Sequence, residues 1–329
     1  MADLGLVPLL TRGTGPPLPA ARGARCGATV PGMTFQHGGQ FEGGRVQTRR
    51  GGGRGRGIAI GGGLGGLVVV LLVTLLGGDP TSLLSGDSGG GTEEQGVIAA
   101  CDAEQANSQR ECRLNATVEA LDTYWVDTLP TAGVAVGTEE IQPGVVSFEQ
   151  ATTTGCGAAT SSTGPFYCPT DRTIYLDLGF YDLLSSQYGA SGGSLAEMYV
   201  VAHEYGHHIQ QLTGVFDRTD RSGTGDDSDS VRVELQADCY AGLWAGHAAS
   251  TEDPETGVTY LEPISQTELA DSLSAAAAVG DDHIQQQSGG GVDPDTWTHG
   301  SSEQRQRWFT TGYEQGTLAA CDTFAVTTP

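Results

Sequence analysis

An uncharged apolar run extends from Ile58 to Leu76. Nineteen residues just cross the hydrocarbon of a bilayer, so the run predicts one transmembrane helix over 58–76. Upstream, residues 1–57 hold glycine, proline and arginine with no apolar period, which predicts a disordered tail. Met33 opens a stretch of different character and is a second candidate start. Downstream, residues 77–97 are rich in glycine, aspartate, serine and threonine and read as a linker. One domain is expected over 98–329. There, Leu114, Val118, Leu121, Tyr124 and Trp125 keep helical spacing between Arg113 and Thr128, ending before Pro130. Val145 to Glu149 and Thr173 to Leu178 have strand composition, and the second alternates as a half-buried strand should. Gly155 to Pro169 between them reads as a loop.

The clearest helical stripe is Leu195, Met198, Ala202, Tyr205, Ile209 and Leu212. Ser194 and Glu197 read as a capping box at its start, and Gly214 as its stop. A second helix begins near Val231. Thr267 to Val279 and Ser301 to Tyr313 are two more, with Ser301 and Gln304 as a cap signal on the last. Residues 217–230 are acidic but match no EF-hand spacing, so a solvated surface loop is expected.

The stripe carries chemistry. His203-Glu204-Tyr205-Gly206-His207 is a His-Glu-x-x-His pattern. On a helix, positions i and i+4 share a face, so His203 and His207 present two imidazoles to one metal ion. Glu204 sits one step round, placed to act as general base on a water. A catalytic zinc needs a third protein ligand, and Glu234 on the following helix is the expected one. Asp238, four residues later on the same face, is expected to accept the second ring N–H of a ligand histidine, His203. His299 and Arg305 lie in a polar stretch beside a helix start and are candidates for stabilising an oxyanion. His208 points about 100° from His207 and is expected beside the site or at the surface. His247 and His283 have no local partners that mark them as ligands.

Charge is divided. Residues 1–57 carry eight arginines against two acids, and the rest carries eight arginines against 38 acids, with no lysine anywhere. The acidic domain argues against nucleic acid or an anionic membrane surface as partner. Arginines precede the apolar run and none follows closely. The positive-inside rule then puts the N-terminus in the cytoplasm and the domain outside, as a single-pass membrane protein. An uncleaved anchor is expected; a cleaved signal peptide is the alternative. Six cysteines follow the run. The simplest pairing is Cys101 with Cys112, Cys156 with Cys168 and Cys239 with Cys321, other connectivities remaining open.

From about Met33 onward the chain resembles the bacterial neutral zinc metallopeptidases, single-span membrane proteins with a short glycine-rich cytoplasmic N-terminus. Cys156-Gly157, Thr163 to Pro169, Tyr175 to Leu178, His203 to His208, Glu234 to Cys239, Gly280 to Asp282 and Thr298 to Arg305 carry the resemblance. It implies a Zn2+-dependent peptidase with His203, His207 and Glu234 as ligands and Glu204 as base. The fold expected is α+β, zincin-like of the gluzincin type, mostly helical with a small sheet. The strand Thr173 to Leu178 is expected at the sheet edge, holding an extended peptide or protein substrate by backbone pairing, with a plain core strand as the alternative. The alternative from another class is a non-catalytic extracytoplasmic scaffold or binding protein with a structural zinc. An intact Glu204 argues against it, since a structural site has no need of a base.

Overall fold

The computed structural model describes residues 34–50, 94–289 and 291–329. The expected membrane helix 58–76 and most of the expected linker lie outside the described residues.

The described chain opens with two short strands, β1 (Gln40–Phe41) and β2 (Gln47–Arg50). After the gap come β3 (Glu94–Val97) and β4 (Cys101–Asp102), then helices α1 (Ala103–Ser108), α2 (Arg110–Thr131) and the short α3 (Thr138–Ile141). Strands β5 (Gly144–Glu149), β6 (Ala151–Thr154), β7 (Gly157–Thr160), β8 (Phe166–Cys168) and β9 (Thr173–Leu176) follow. The rest is helical: α4 (Phe180–Tyr188), α5 (Ser194–Leu212), α6 (Asp229–Ala248), α7 (Gln266–Ala278), α8 (Asp281–Gln287) and α9 (Ser302–Gln315).

One five-stranded sheet has the order β3-β2-β5-β9-β8. β5 runs parallel to β2 and to β9, while β3 and β8 are antiparallel to their neighbours. Alternation along the strands separates two faces. Val145, Tyr167, Ile174 and Leu176 face the main core with Trp125, Tyr205 and Trp244. Val146, Phe148, Phe166 and Tyr175 face a smaller cluster on the other side.

Three expectations are corrected. First, residues 34–50 are not a disordered tail and 94–97 are not linker. Phe35, Phe41 and Val46 are buried, and β2 and β3 belong to the main sheet. Arg45 donates from Nε to Asp122 on α2 at 2.5 Å and from Nη2 to the carbonyl of Pro143 at 2.8 Å. Asn107 exchanges two hydrogen bonds with the Phe35 backbone, at 2.9 and 3.1 Å. Glycine-rich sequence hid strands whose stability comes from partners rather than from their own period. Second, β9 is interior and the sheet edge nearest the long helix is β8. The strand ends at Leu176 because the Asp177 carboxylate turns the chain, accepting from the N–H of Gly179 at 2.8 Å. Third, Ser194 does not cap α5. Gly193 is the N-cap residue and makes no side-chain cap bond. Glu197 is instead drawn to Arg110 and Arg113, at 2.7 and 2.5 Å.

Other expectations hold with shifted ends. α2 runs through Pro130 to Thr131. Ser301 and Gln304 form a capping box, and Gly214 follows α5 with φ of 70°. The stretch 155–169 is not a plain loop, since it contains β7 and β8. The disulfides are Cys101–Cys112, Cys156–Cys168 and Cys239–Cys321.

Candidate metal centre

α5 and α6 cross where their side chains are small. A Cβ on Gly206 would lie 3.1 Å from the Cα of Ala237, so the glycine inside the His-Glu-x-x-His pattern is what permits the approach. That crossing brings Glu234 onto the two histidines of α5. Glu234 Oε2 lies 3.1 Å from His203 Nε2 and Oε1 lies 3.5 Å from His207 Nε2. Ligands placed tetrahedrally at zinc bond lengths lie roughly 3.4 Å apart, and these two separations bracket that value. All three donor atoms fall within 4.8 Å of one another, and all three residues are buried. The donor set and its spacing fit zinc.

The remaining ring nitrogens are held. His203 Nδ1 lies 2.8 Å from Asp238 Oδ1, which also accepts from Tyr199 Oη at 2.5 Å. His207 Nδ1 lies 2.8 Å from Gln210 Oε1. The Gln210 amide is itself fixed, donating to the carbonyl of Val233 at 2.7 Å. Both histidines therefore carry Nδ1–H and turn Nε2 towards Glu234. Gln210 was not expected from the sequence, although it lies three residues after His207 and within one turn.

Burial and neighbours set the charges. Burial alone would lower the His203 imidazolium, but Asp238 and Glu234 override it and raise it to about 10. For His207 burial dominates and lowers it to about 4. Burial would raise Glu234, yet the two histidines hold it well below the usual carboxylate range. His203 and Glu234 thus share a proton that a bound metal ion must displace. Glu204 stands outside this triad. Burial pushes it up to about 7, opposed by His203 and by the backbone N–H of Tyr167 on edge strand β8.

Arg305 and His299 have separate tasks. The Arg305 guanidinium is committed to structure: Nε donates to Asp238 Oδ2 at 2.8 Å and Nη1 to the carbonyl of Val279 at 3.2 Å. It orients Asp238 rather than standing free as an oxyanion donor. His299 is different. Asp281 Oδ2 accepts from the N–H groups of Thr298, His299 and Gly300 at 2.8, 2.7 and 3.1 Å. Its Oδ1 lies 3.3 Å from His299 Nδ1. His299 Nε2 is buried without a partner among the described residues, in the cleft that His203, Glu204, His207 and Glu234 also line. Burial would lower His299, but Asp281 raises it.

His208 is not at the surface. It is fully buried, with Nδ1 2.9 Å from Tyr167 Oη and Nε2 2.8 Å from the carbonyl of Glu140. It ties α5 to β8. His247 and His283 bond to the carbonyls of Leu243 and Tyr188, away from the triad.

His203, His207 and Glu234 thus form a buried His-His-Glu set that could hold a metal ion, with the Glu204 carboxylate next to His203 in sequence. Residues 35–324 match the family described as "Putative neutral zinc metallopeptidase", and the chain belongs to that family. It is 50% identical over 220 residues to the uncharacterized protein Rv2575 of Mycobacterium tuberculosis, covering 67% of this chain and 72% of the relative. The uncharacterized protein Mb2605 of Mycobacterium bovis matches to the same extent. The uncharacterized protein YpfJ of Escherichia coli is 46% identical over 189 residues, covering 56% of this chain and 62% of the relative. No solved structure matches the chain.

Proposed function

We propose that this chain is a zinc-dependent peptidase that hydrolyses peptide bonds in the cleft over α5. The observation that carries the reading is the position of Glu204. It is buried beside the triad, takes no part in it, and lines the same cleft. A structural metal site has no use for such a carboxylate. Zinc held by His203, His207 and Glu234 would supply a Lewis acid that makes a water nucleophilic at neutral pH.

Glu204 accepts the proton of the attacking water as its oxygen bonds to the peptide carbonyl carbon. It then gives that proton to the leaving nitrogen as the C–N bond breaks. His299, whose hold on a proton Asp281 strengthens against burial, is placed to offer an Nε2 hydrogen to the carbonyl oxygen, which gains negative charge in the transition state. β8, the edge strand of the sheet, is the one placed to receive an extended peptide. Three disulfides and the apolar stretch 58–76 support a peptidase working outside the cytoplasm and attached to a bacterial membrane.

The test compares wild-type and Glu204→Gln full-length protein for zinc content and for hydrolysis of casein and quenched peptides. Zinc in both with cleavage in wild type alone is expected. Zinc in both with cleavage in neither would favour a scaffold with a structural metal.

A further inference from the structure

The cleft has two unlike walls. One carries the triad, Glu204 and His299. The other is built from Pro165 before β8, Phe180 and Tyr188 of α4, Val200 of α5, Val279 after α7 and Ile284 of α8. Phe180, Val279 and Ile284 keep part of their surface open. Three polar groups near this wall are already engaged: Arg305 with Asp238, Tyr199 with Asp238, and Tyr167 with His208 and Gln211, so that the Tyr188 hydroxyl is the polar group the wall itself carries. A charged substrate side chain seated there would lose water for little return. An apolar one would bury its surface against five elements of the fold.

We infer that this wall is a specificity subsite for a bulky apolar side chain, leucine or an aromatic residue, flanking the scissile bond. The inference rests on the peptidase reading for its substrate class. Apolar pockets discriminate by roughly 10–200-fold between side chains, and the preference over aspartate at the same position is expected in that range.

The experiment uses full-length protein and quenched peptides that differ only in the residues flanking one bond. Wild type is expected to cut leucine and phenylalanine peptides at least about tenfold faster, as kcat/KM, than aspartate peptides. Ile284→Glu is expected to remove that preference, bringing kcat/KM for leucine and phenylalanine peptides down towards the value for aspartate peptides. Cleavage that Glu204→Gln abolishes, but that is indifferent to the flanking residue, overturns the inference and leaves the peptidase reading standing. Calorimetry on Glu204→Gln with uncleaved phenylalanine and aspartate peptides gives a second readout. Tighter binding of the phenylalanine peptide, lost in Glu204→Gln/Ile284→Glu, upholds the subsite even if no hydrolysis is found. Equal binding removes it.

A separate observation concerns the arm 34–50. β2 and β3 pair directly, Gln47 opposite Val97 and Arg50 opposite Glu94. The chain therefore leaves the domain at Arg50 and returns beside it at Glu94. A single crossing between those points would place 34–50 across a membrane from the domain. It would strip β2 from the sheet and leave Asp122 buried without Arg45. We propose that residues 34–50 share the compartment of the metal centre.

Gln47 and Gln95 are exposed and serve as probes. Full-length Cys26→Ser protein carrying either Gln47→Cys or Gln95→Cys is treated in intact cells with a membrane-impermeant maleimide. Equal labelling at both positions is expected. Labelling of both only after permeabilisation keeps the proposal and moves the whole domain inside. Labelling of Gln95→Cys in intact cells, with Gln47→Cys reached only after lysis, overturns it.

Discussion

Arg305 grips both oxygens of Asp238, through Nε to Oδ2 at 2.8 Å and through Nη2 to Oδ1 at 3.0 Å. Asp238 in turn fixes His203, so a residue on α9 sets the ring of a ligand on α5. Arg305→Lys keeps a charge but loses the fork. Zinc affinity is expected to fall by about 10–100-fold, read by competition with a chromophoric chelator. Arg305→Ala strands a buried carboxylate and is expected to cost about 3–5 kcal/mol in chemical denaturation.

Zinc affinity should climb with pH. Without metal His203 is raised to about 10 by Asp238 and Glu234, after burial has opposed it. The ring is then protonated through the neutral range, and zinc must expel that proton. Each proton released makes the apparent association constant rise about tenfold per pH unit. Calorimetry in buffers of different ionisation enthalpy counts the protons. A pH-independent constant between pH 6 and 8 would contradict this account.

Glu119 on α2 gives stability its own pH dependence. Burial pushes it up to about 7 from 4.5, with Asn115 and the N–H of Glu42 opposing. Its folded value exceeds its unfolded one, so its contribution is fully present below about pH 4.5 and is lost as pH rises through about 7. It is partly exposed, so the effect is on the order of 1 kcal/mol. Glu119→Gln is expected to raise the melting temperature at pH 8 more than at pH 5.

The arm is expected to be part of the folding unit. Arg45→Met leaves Asp122 buried and unpaired and should cost about 3 kcal/mol. Arg45→Met/Asp122→Asn should recover most of the loss, because the second change removes the stranded charge. Unfolding in urea measures both. A fragment starting at residue 98 lacks β2 and β3 and should not hold the native sheet.

The clustering of His203 and His207 was legible because helical spacing turns positions i and i+4 into neighbours without further information, with Glu204 one step round. Glu234 and Asp238 followed from the same periodicity one helix later. The Cys101–Cys112 and Cys156–Cys168 bridges are local, so proximity in sequence found them. What stayed hidden depends on partners far along the chain. Phe166 to Cys168 is too short to show a period and reads as loop, and only the sheet order makes it the edge strand β8. Arg305 lies 67 residues from Asp238, and no local pattern distinguishes a clamp from a free donor. Ser194 carried a genuine cap signal, but Glu197 was claimed by two arginines on α2. Phe35 and Val46 are lone apolar residues among glycines, too few to show a period, yet each fills a place in the core.

α6 and α9 meet backbone to backbone. A Cβ on Gly242 would lie 1.9 Å from the carbonyl oxygen of Phe309, and one on Gly312 would lie 1.9 Å from that of Cys239. Two main chains in contact have no side-chain cushion to compress, and packed interiors deform little. The helix bearing Glu234 and the helix bearing Arg305 therefore move as a single block. Widening of the cleft to admit a bulkier chain then falls to α4, because α8 carries the Asp281 that holds His299, so the machinery that cuts stays rigid while the fit to substrate is adjusted elsewhere.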